Sequence, residues 1–146
     1  MDSEQNILLV KIKNTNFWVT PGFYESDPKL INKKMMDLAS EYGLTISKPT
    51  LRGKLKLTRH EVISDRYFYV SNKLEDQPKL PNSIESIKWL PLSDALNLLT
   101  FPHINILLKK IIEEPDYVWV ASIKRYQEEG EYKAKLMDDF KSLSNQ

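Results

Sequence analysis

Asp37 and Glu41 stand four residues apart, a spacing that puts both carboxylates on one face of a helix. Two hard oxygen donors side by side are a usual protein contribution to a magnesium site, the ion completing its shell with water and phosphate oxygens. The ordinary alternative is a solvated helix face, with Lys33 four residues ahead of Asp37 forming a weak exposed pair. Other chemistries are harder to build. The chain has no cysteine, two histidines and four glycines, which excludes disulfides, thiolate metal sites and a cysteine nucleophile. It also leaves no zinc spacing, Ser-His-Asp arrangement or glycine-rich phosphate loop. His60, beside Glu61, reads as a surface histidine rather than a base.

The elements that must position these groups follow from apolar periodicity. Ile31, Met35, Leu38 and Tyr42 recur at steps of four, three and four, the stripe of an amphipathic helix between Pro28 and Tyr42 that stops at Gly43. Ahead of it, Ile7 to Ile12 and Phe17 to Val19 read as strands joined by a turn at Lys13 to Asn16, and Pro21-Gly22 breaks the second strand. Leu51, Leu55 and Leu57 alternate with Arg52, Lys54 and Lys56, and Arg66 to Val70 is rich in aromatic and β-branched residues, so both segments read as strands. Residues Asn72 to Asn82 read as a loop and Ile84 to Leu90 as a strand. A helix capped by Ser93 follows, then a second from Pro102 to Glu114. The tail carries Tyr117, Val118, Trp119 and Val120 and then a charged stretch with helical character up to Leu143.

The run from Trp18-Val19-Thr20-Pro21-Gly22-Phe23-Tyr24-Glu25 to Met36-Asp37-Leu38-Ala39-Ser40-Glu41-Tyr42-Gly43-Leu44 resembles a Nudix box in unbroken register. Gly22, Leu38, Glu41, Gly43 and Leu44 fall on matching letters, and Asp37 replaces a glutamate. Pro28, Met36 and Ser40 stand where Glu, Arg and Glu belong. Ser86 to Leu96, with Trp89 and Ser93, is similar to the strand-to-helix junction of that family, and Leu99 to Pro102 to its next helix start. The resemblance covers roughly Ile7 to Ile112. It implies an α/β fold, a Nudix-like α/β/α sandwich with a mixed sheet, spanning residues 1–115, with 116–146 as a helical C-terminal extension. It also implies a strand ahead of Ile7, where only a few residues stand; truncation, a late start and replacement by the tail are the three explanations.

The same resemblance implies Mg2+ or Mn2+ held by Gly22, Glu25, Asp37 and Glu41, with Asp37 and Glu41 serving catalysis. Asp27 is a candidate stand-in for the acid missing at Pro28, and Glu75, Asp76 and Glu85 are candidates for a carboxylate from outside the box. Against full activity, Ser40 exchanges a carboxylate for a neutral hydroxyl, Asp37 is one methylene short, and Met36 removes a guanidinium fork. Trp18, Tyr24 and Arg52 are candidate substrate contacts, by stacking and by charge. The basic alternation of Arg52, Lys54 and Lys56 reads first as an edge or outer strand blunted by charge, and Tyr67 and Tyr69 as cross-strand packing.

A formal charge of +1 supplies no global field for nucleic acid or an anionic membrane, and apolar runs such as Ile7 to Val10 fall far short of the roughly 20 residues that span a bilayer. The chain reads as cytoplasmic, or nuclear in a eukaryote. Two functions follow: a Nudix-fold protein with weakened or lost diphosphate hydrolysis of nucleoside diphosphate derivatives, or a non-catalytic module that binds a nucleotide-like molecule, or a protein through its tail.

Overall fold

The computed structural model describes residues 1–143, so positions 144–146 of the expected extension lie outside the described residues. Its elements are β1 (Ile7–Ile12), β2 (Trp18–Val19), a 3-10 turn at Pro28–Leu30, α1 (Ile31–Glu41), β3 (Leu44–Ile46), β4 (Thr50–Arg59), β5 (Val62–Val70), β6 (Lys73–Asp76), β7 (Ile84–Leu90), α2 (Leu92–Leu98), α3 (Pro102–Glu113), β8 (Trp119–Glu128), β9 (Glu131–Leu136) and β10 (Lys141–Ser142). The class is mixed α/β, with three helices and both parallel and antiparallel strand pairing, as expected for a Nudix-like α/β/α sandwich. Two compact units interleave along the chain: Met1–Thr50 with Val70–Leu98, and Leu51–Tyr69 with Leu99–Gln146.

In the first unit β1 runs antiparallel between β2 and β7. Its apolar run Ile7-Leu8-Leu9-Val10 puts Ile7, Leu9 and Val10 out of solvent. Against this strand layer α1 turns the stripe foreseen from its periodicity: Ala39 and Tyr42 are buried with Val10, Leu44 and Ile84, and Leu38, Val19, Ile87 and Trp89 pack around them. The helix ends as its glycine dictates. Gly43 has φ +75, and its N–H donates to the Ser40 carbonyl at 3.0 Å, the left-handed closure of a helix C-terminus. Two details differ from expectation. Within Asn72 to Asn82 lies β6, paired antiparallel with β3, because Leu44 to Ile46 leaves an open edge that accepts it. The helix α2 begins at Leu92, and the Ala95 N–H donates to the Pro91 carbonyl at 2.9 Å, so Ser93 sits inside the first turn rather than at the cap.

In the second unit the strand order is β10-β8-β4-β5, with β9 paired to β8. Here β4 is an interior strand, which corrects the edge-strand reading of its basic residues: β8 covers one side in parallel register and β5 the other. Leu55 and Leu57 are buried opposite Ala121 and Ile123 of β8. Gly53 lies on the same face, and a Cβ there would meet Ile111 Cδ1 at 2.8 Å and Leu107 Cδ2 at 3.2 Å, so the missing side chain is what lets α3 approach β4 closely.

The tail is strand, not helix. Trp119, Ala121 and Ile123 alternate inward with period two, β9 folds back on β8 from Glu128 opposite Glu131, and Glu129 and Gly130 take φ of 53 and 81, the left-handed pair of a tight hairpin. Its Glu and Lys residues favour helix in isolation, and pairing with β4 overrides that weak preference. The β4–β5 hairpin is closed in the same way by His60 and Glu61, with φ of 50 and 65, which gives His60 a turn role. Neither residue suits that conformation, so replacing the pair with Asn-Gly is expected to raise stability by about 1 kcal/mol. An unchanged or lower urea midpoint would show that the turn is not strained.

Candidate metal and nucleotide site

The box residues all fall in the first unit. Pro21 and Gly22 leave β2, and the chain then passes through Glu25 to the 3-10 turn that opens α1. Gly22 is exposed and a Cβ built on it meets nothing within 4 Å. Neither a left-handed backbone nor a close approach requires glycine there. Gly43 is the opposite case, with the Gln77 carbonyl oxygen 1.8 Å from where its Cβ would stand.

Among the carboxylates, Glu25 is the least exposed and is already engaged. Its Oε1 lies 2.9 Å from Lys34 Nζ, with the glutamate side chain 11% exposed, and its Oε2 accepts from the Asp27 N–H at 3.1 Å. The Lys34 ammonium, then the Asp27 N–H, hold its carboxyl below the usual carboxylate range. Lys34, Asp37 and Glu41 share one helical face by their spacing of three and four, and both acids are exposed. A cation of the chain's own therefore sits beside the loop glutamate, at the head of the acidic face.

Ser40 and Asp27 each make a local hydrogen bond. Ser40 donates its hydroxyl to the Met36 carbonyl one turn back, at 3.1 Å, which directs it to its own helix. Asp27 caps the 3-10 turn by accepting from the Lys29 N–H at 3.0 Å, so it does not replace the acid missing at Pro28. Of the outside candidates, Glu85 pairs with Lys11 at 2.5 Å and Asp76 with Lys73 at 3.3 Å, and Glu75 is exposed on β6. Among the described residues no three of His, Asp or Glu are grouped so as to hold a metal ion. The donors implied for Mg2+ or Mn2+ thus do not fit as a set: the most shielded of them is neutralised by lysine, and the remaining two stand in water on one face.

Of the expected substrate contacts, Trp18 and Tyr24 lie in the first unit and Arg52 in the second. Trp18 is half-buried on β2, with Lys88 Nζ 5.3 Å from its ring centroid. Tyr24 is 84% exposed. Arg52 belongs to the second unit, where one terminal nitrogen of its guanidinium is buried without a hydrogen-bond partner. A cavity of about 150 Å³ in the first unit is lined by Leu8, Tyr42, Leu44, Asp76, Ile87 and Trp89. It contains neither Trp18 nor Tyr24 and is below the roughly 300 Å³ at which pockets for drug-sized ligands begin. Burial, then the charge of Glu41, pushes the Tyr42 phenol up to about 12, so this wall is neutral.

No family model matches the chain, and no curated protein sequence does. Among solved structures the chain is similar to the mutator MutT protein from Bacillus halodurans. The match covers 94% of this chain and 92% of that one at 18% identity, with a TM-score of 0.67. The fold is Nudix-like. In this Nudix-like fold Gly43 closes the helix with a left-handed backbone and Leu44 is buried in the core beside it. What sequence reasoning missed is Lys34. Its signal was present in the three- and seven-residue spacings to Asp37 and Glu41, which place an ammonium on the acidic face.

No helix is long and apolar enough to cross a membrane among the described residues.

Proposed function

We propose that this chain is a Nudix-fold protein in which metal-dependent hydrolysis of nucleoside diphosphate derivatives is weakened to the point of loss. The observation that carries this reading is the Glu25–Lys34 pair at 2.9 Å. It places a fixed positive charge beside the loop carboxylate that the resemblance assigns to a divalent ion, and two cations repel in that space. The Ser40 bond to Met36 supports the reading, since it removes the neighbouring position as a ligand.

Thermal unfolding with and without 5 mM Mg2+ or Mn2+, with formation of nucleoside monophosphate followed by chromatography in parallel samples of ADP-ribose-like and dinucleoside polyphosphate substrates, tests it. The expected result is a shift below about 1 °C and no turnover, because a ligand stabilises only when its concentration approaches its Kd. A metal-dependent shift with turnover that vanishes in Glu41→Gln would overturn it. Restoring Ser40→Glu and Asp37→Glu together is expected to leave metal affinity weak until Lys34→Ala is added, since the ammonium holds Glu25 until then.

A further inference from the structure

In the second unit a group of cations converges on a buried imidazole, and none of the box residues takes part. Arg125 of β8 lies with its guanidinium carbon 4.2 Å from the Phe101 ring centroid and 5.1 Å from that of Tyr132, and the two rings meet edge-on at 4.8 Å. Stacking of this kind occupies the face of a guanidinium and leaves its in-plane N–H groups for acceptors, of which the Tyr132 hydroxyl is one for Arg125. The parallel register that sets Thr58 opposite Lys124 brings Arg59, the next residue, alongside Arg125. Both follow the buried pair Leu57 and Ile123 by two residues and so share their face of the sheet. A third guanidinium, Arg66, comes from the neighbouring strand β5, where its Nε donates to the Ser64 hydroxyl at 3.4 Å.

These charges act on one another. Burial first, then the charge of Arg59 and more weakly that of Arg66, lowers the Arg125 pKa, with Tyr132 opposing. Neither Arg59 nor Arg125 forms an ion pair with a carboxylate among the described residues. Beside them His103 is 8% exposed and its Nδ1 is buried without a hydrogen-bond partner. Burial, then the charges of Arg125 and Arg66, holds that imidazole neutral to about pH 4. His103 is the second residue of α3, whose N-terminus has no side-chain cap and no acid in its first turn. Like charges gathered around an unsatisfied buried polar group raise the energy of the folded state, and an anion bearing several oxygens would relieve all of these terms at once.

We propose that Arg59, Arg66, Arg125 and His103 form a binding site for a phosphoryl group, of the kind carried by a small phosphomonoester or diphosphate. The guanidinium groups of Arg59 and Arg125 suit tetrahedral phosphate oxygens, Arg66 adds positive charge beside them, and the buried Nδ1 suits the tip of a small anion. A nucleic acid strand would instead need cations running along a groove.

Isothermal titration of the full chain with inorganic pyrophosphate, at low salt and without added metal, tests this. Wild type is expected to bind, with the His103 imidazole resonances moving during the titration. Arg59→Gln and Arg66→Gln, both exposed positions, are expected to weaken binding about tenfold each, the loss of one charge-assisted hydrogen bond. Lys54→Gln, on the opposite face of β4, is expected to leave affinity unchanged. Arg125→Lys keeps the charge while losing the planar fork, and its expected loss of affinity with an unaltered circular dichroism spectrum separates recognition from folding. Absence of binding at millimolar pyrophosphate, unchanged affinity in Arg59→Gln, or a loss in Lys54→Gln as large as the others would overturn the site. Tighter binding of a ten-nucleotide single-stranded RNA than of pyrophosphate and ADP would overturn the small-anion assignment.

Discussion

Replacing Gly43 with alanine is expected to lower stability by about 3 kcal/mol or more, whereas the same change at Gly22 is expected to stay within about 0.5 kcal/mol. At Gly43 the backbone has φ +75, which costs an alanine roughly 1–2 kcal/mol. The new Cβ would stand 1.8 Å from the Gln77 carbonyl oxygen, so residues 77–79 must move. That movement breaks two backbone bonds that now join the helix end to this segment, from the Gln77 N–H to the Gly43 carbonyl at 2.8 Å and from the Lys79 N–H to the Tyr42 carbonyl at 3.2 Å. Each contributes about 1 kcal/mol. Urea denaturation of the two variants side by side measures the contrast. Equal effects would mean that Gly22 carries a requirement absent from its geometry, or that the 77–79 segment yields without cost.

The second large effect concerns acid. His103 is buried, and its pKa falls from 6.5 to about 4, because burial disfavours the charged form and Arg125 and Arg66 repel it. An unfolded chain protonates this imidazole near its ordinary value, so between pH 6.5 and 4 the unfolded state binds more protons than the folded one. Stability is therefore full above about pH 6.5 and declines as pH falls toward 4. At about 1.4 kcal/mol per pKa unit, the loss is on the order of 2–3 kcal/mol. His103→Gln is expected to remove this decline while leaving the further loss at lower pH, where carboxylates such as Glu25, held below the usual range by Lys34, become protonated. Urea midpoints at pH 7.5, 6.0, 5.0 and 4.5 give the two curves, and parallel curves would show that His103 is charged or solvated in the native state.

Much of the fold was legible in the residues. The stripe Ile31, Met35, Leu38, Tyr42 and the stop at Gly43 located α1, and the alternation of Leu55 and Leu57 with lysines located the buried face of β4, because helix and strand periods differ and burial acts on every residue of a face. The charged tail was misread as helix for a physical reason. Local propensity is worth tenths of a kcal/mol per residue, whereas β8 gains a whole strand partner in β4 and buries Trp119, Ala121 and Ile123. The left-handed turn at Glu129-Gly130, set among alternating residues, was the signal available.

The site divides along the same line. The sequence by itself determined that the resemblance to the box runs in one register from Gly22 to Leu44, that Pro28, Met36 and Ser40 are uncharged, and that no cysteine chemistry is available, since these are matters of residue identity. Only the tertiary structure decided what the surviving groups touch: that Lys34 reaches back to Glu25, that Ser40 bonds to its own helix, and that Gly43 is held by contact with Gln77. It alone brought the β4–β5 hairpin residues Arg59 and Arg66 to Arg125 of β8 and His103 at a helix end, which lie far from that hairpin in the chain. Strand pairing determines which distant charges become neighbours, and local sequence has no means of encoding that distance.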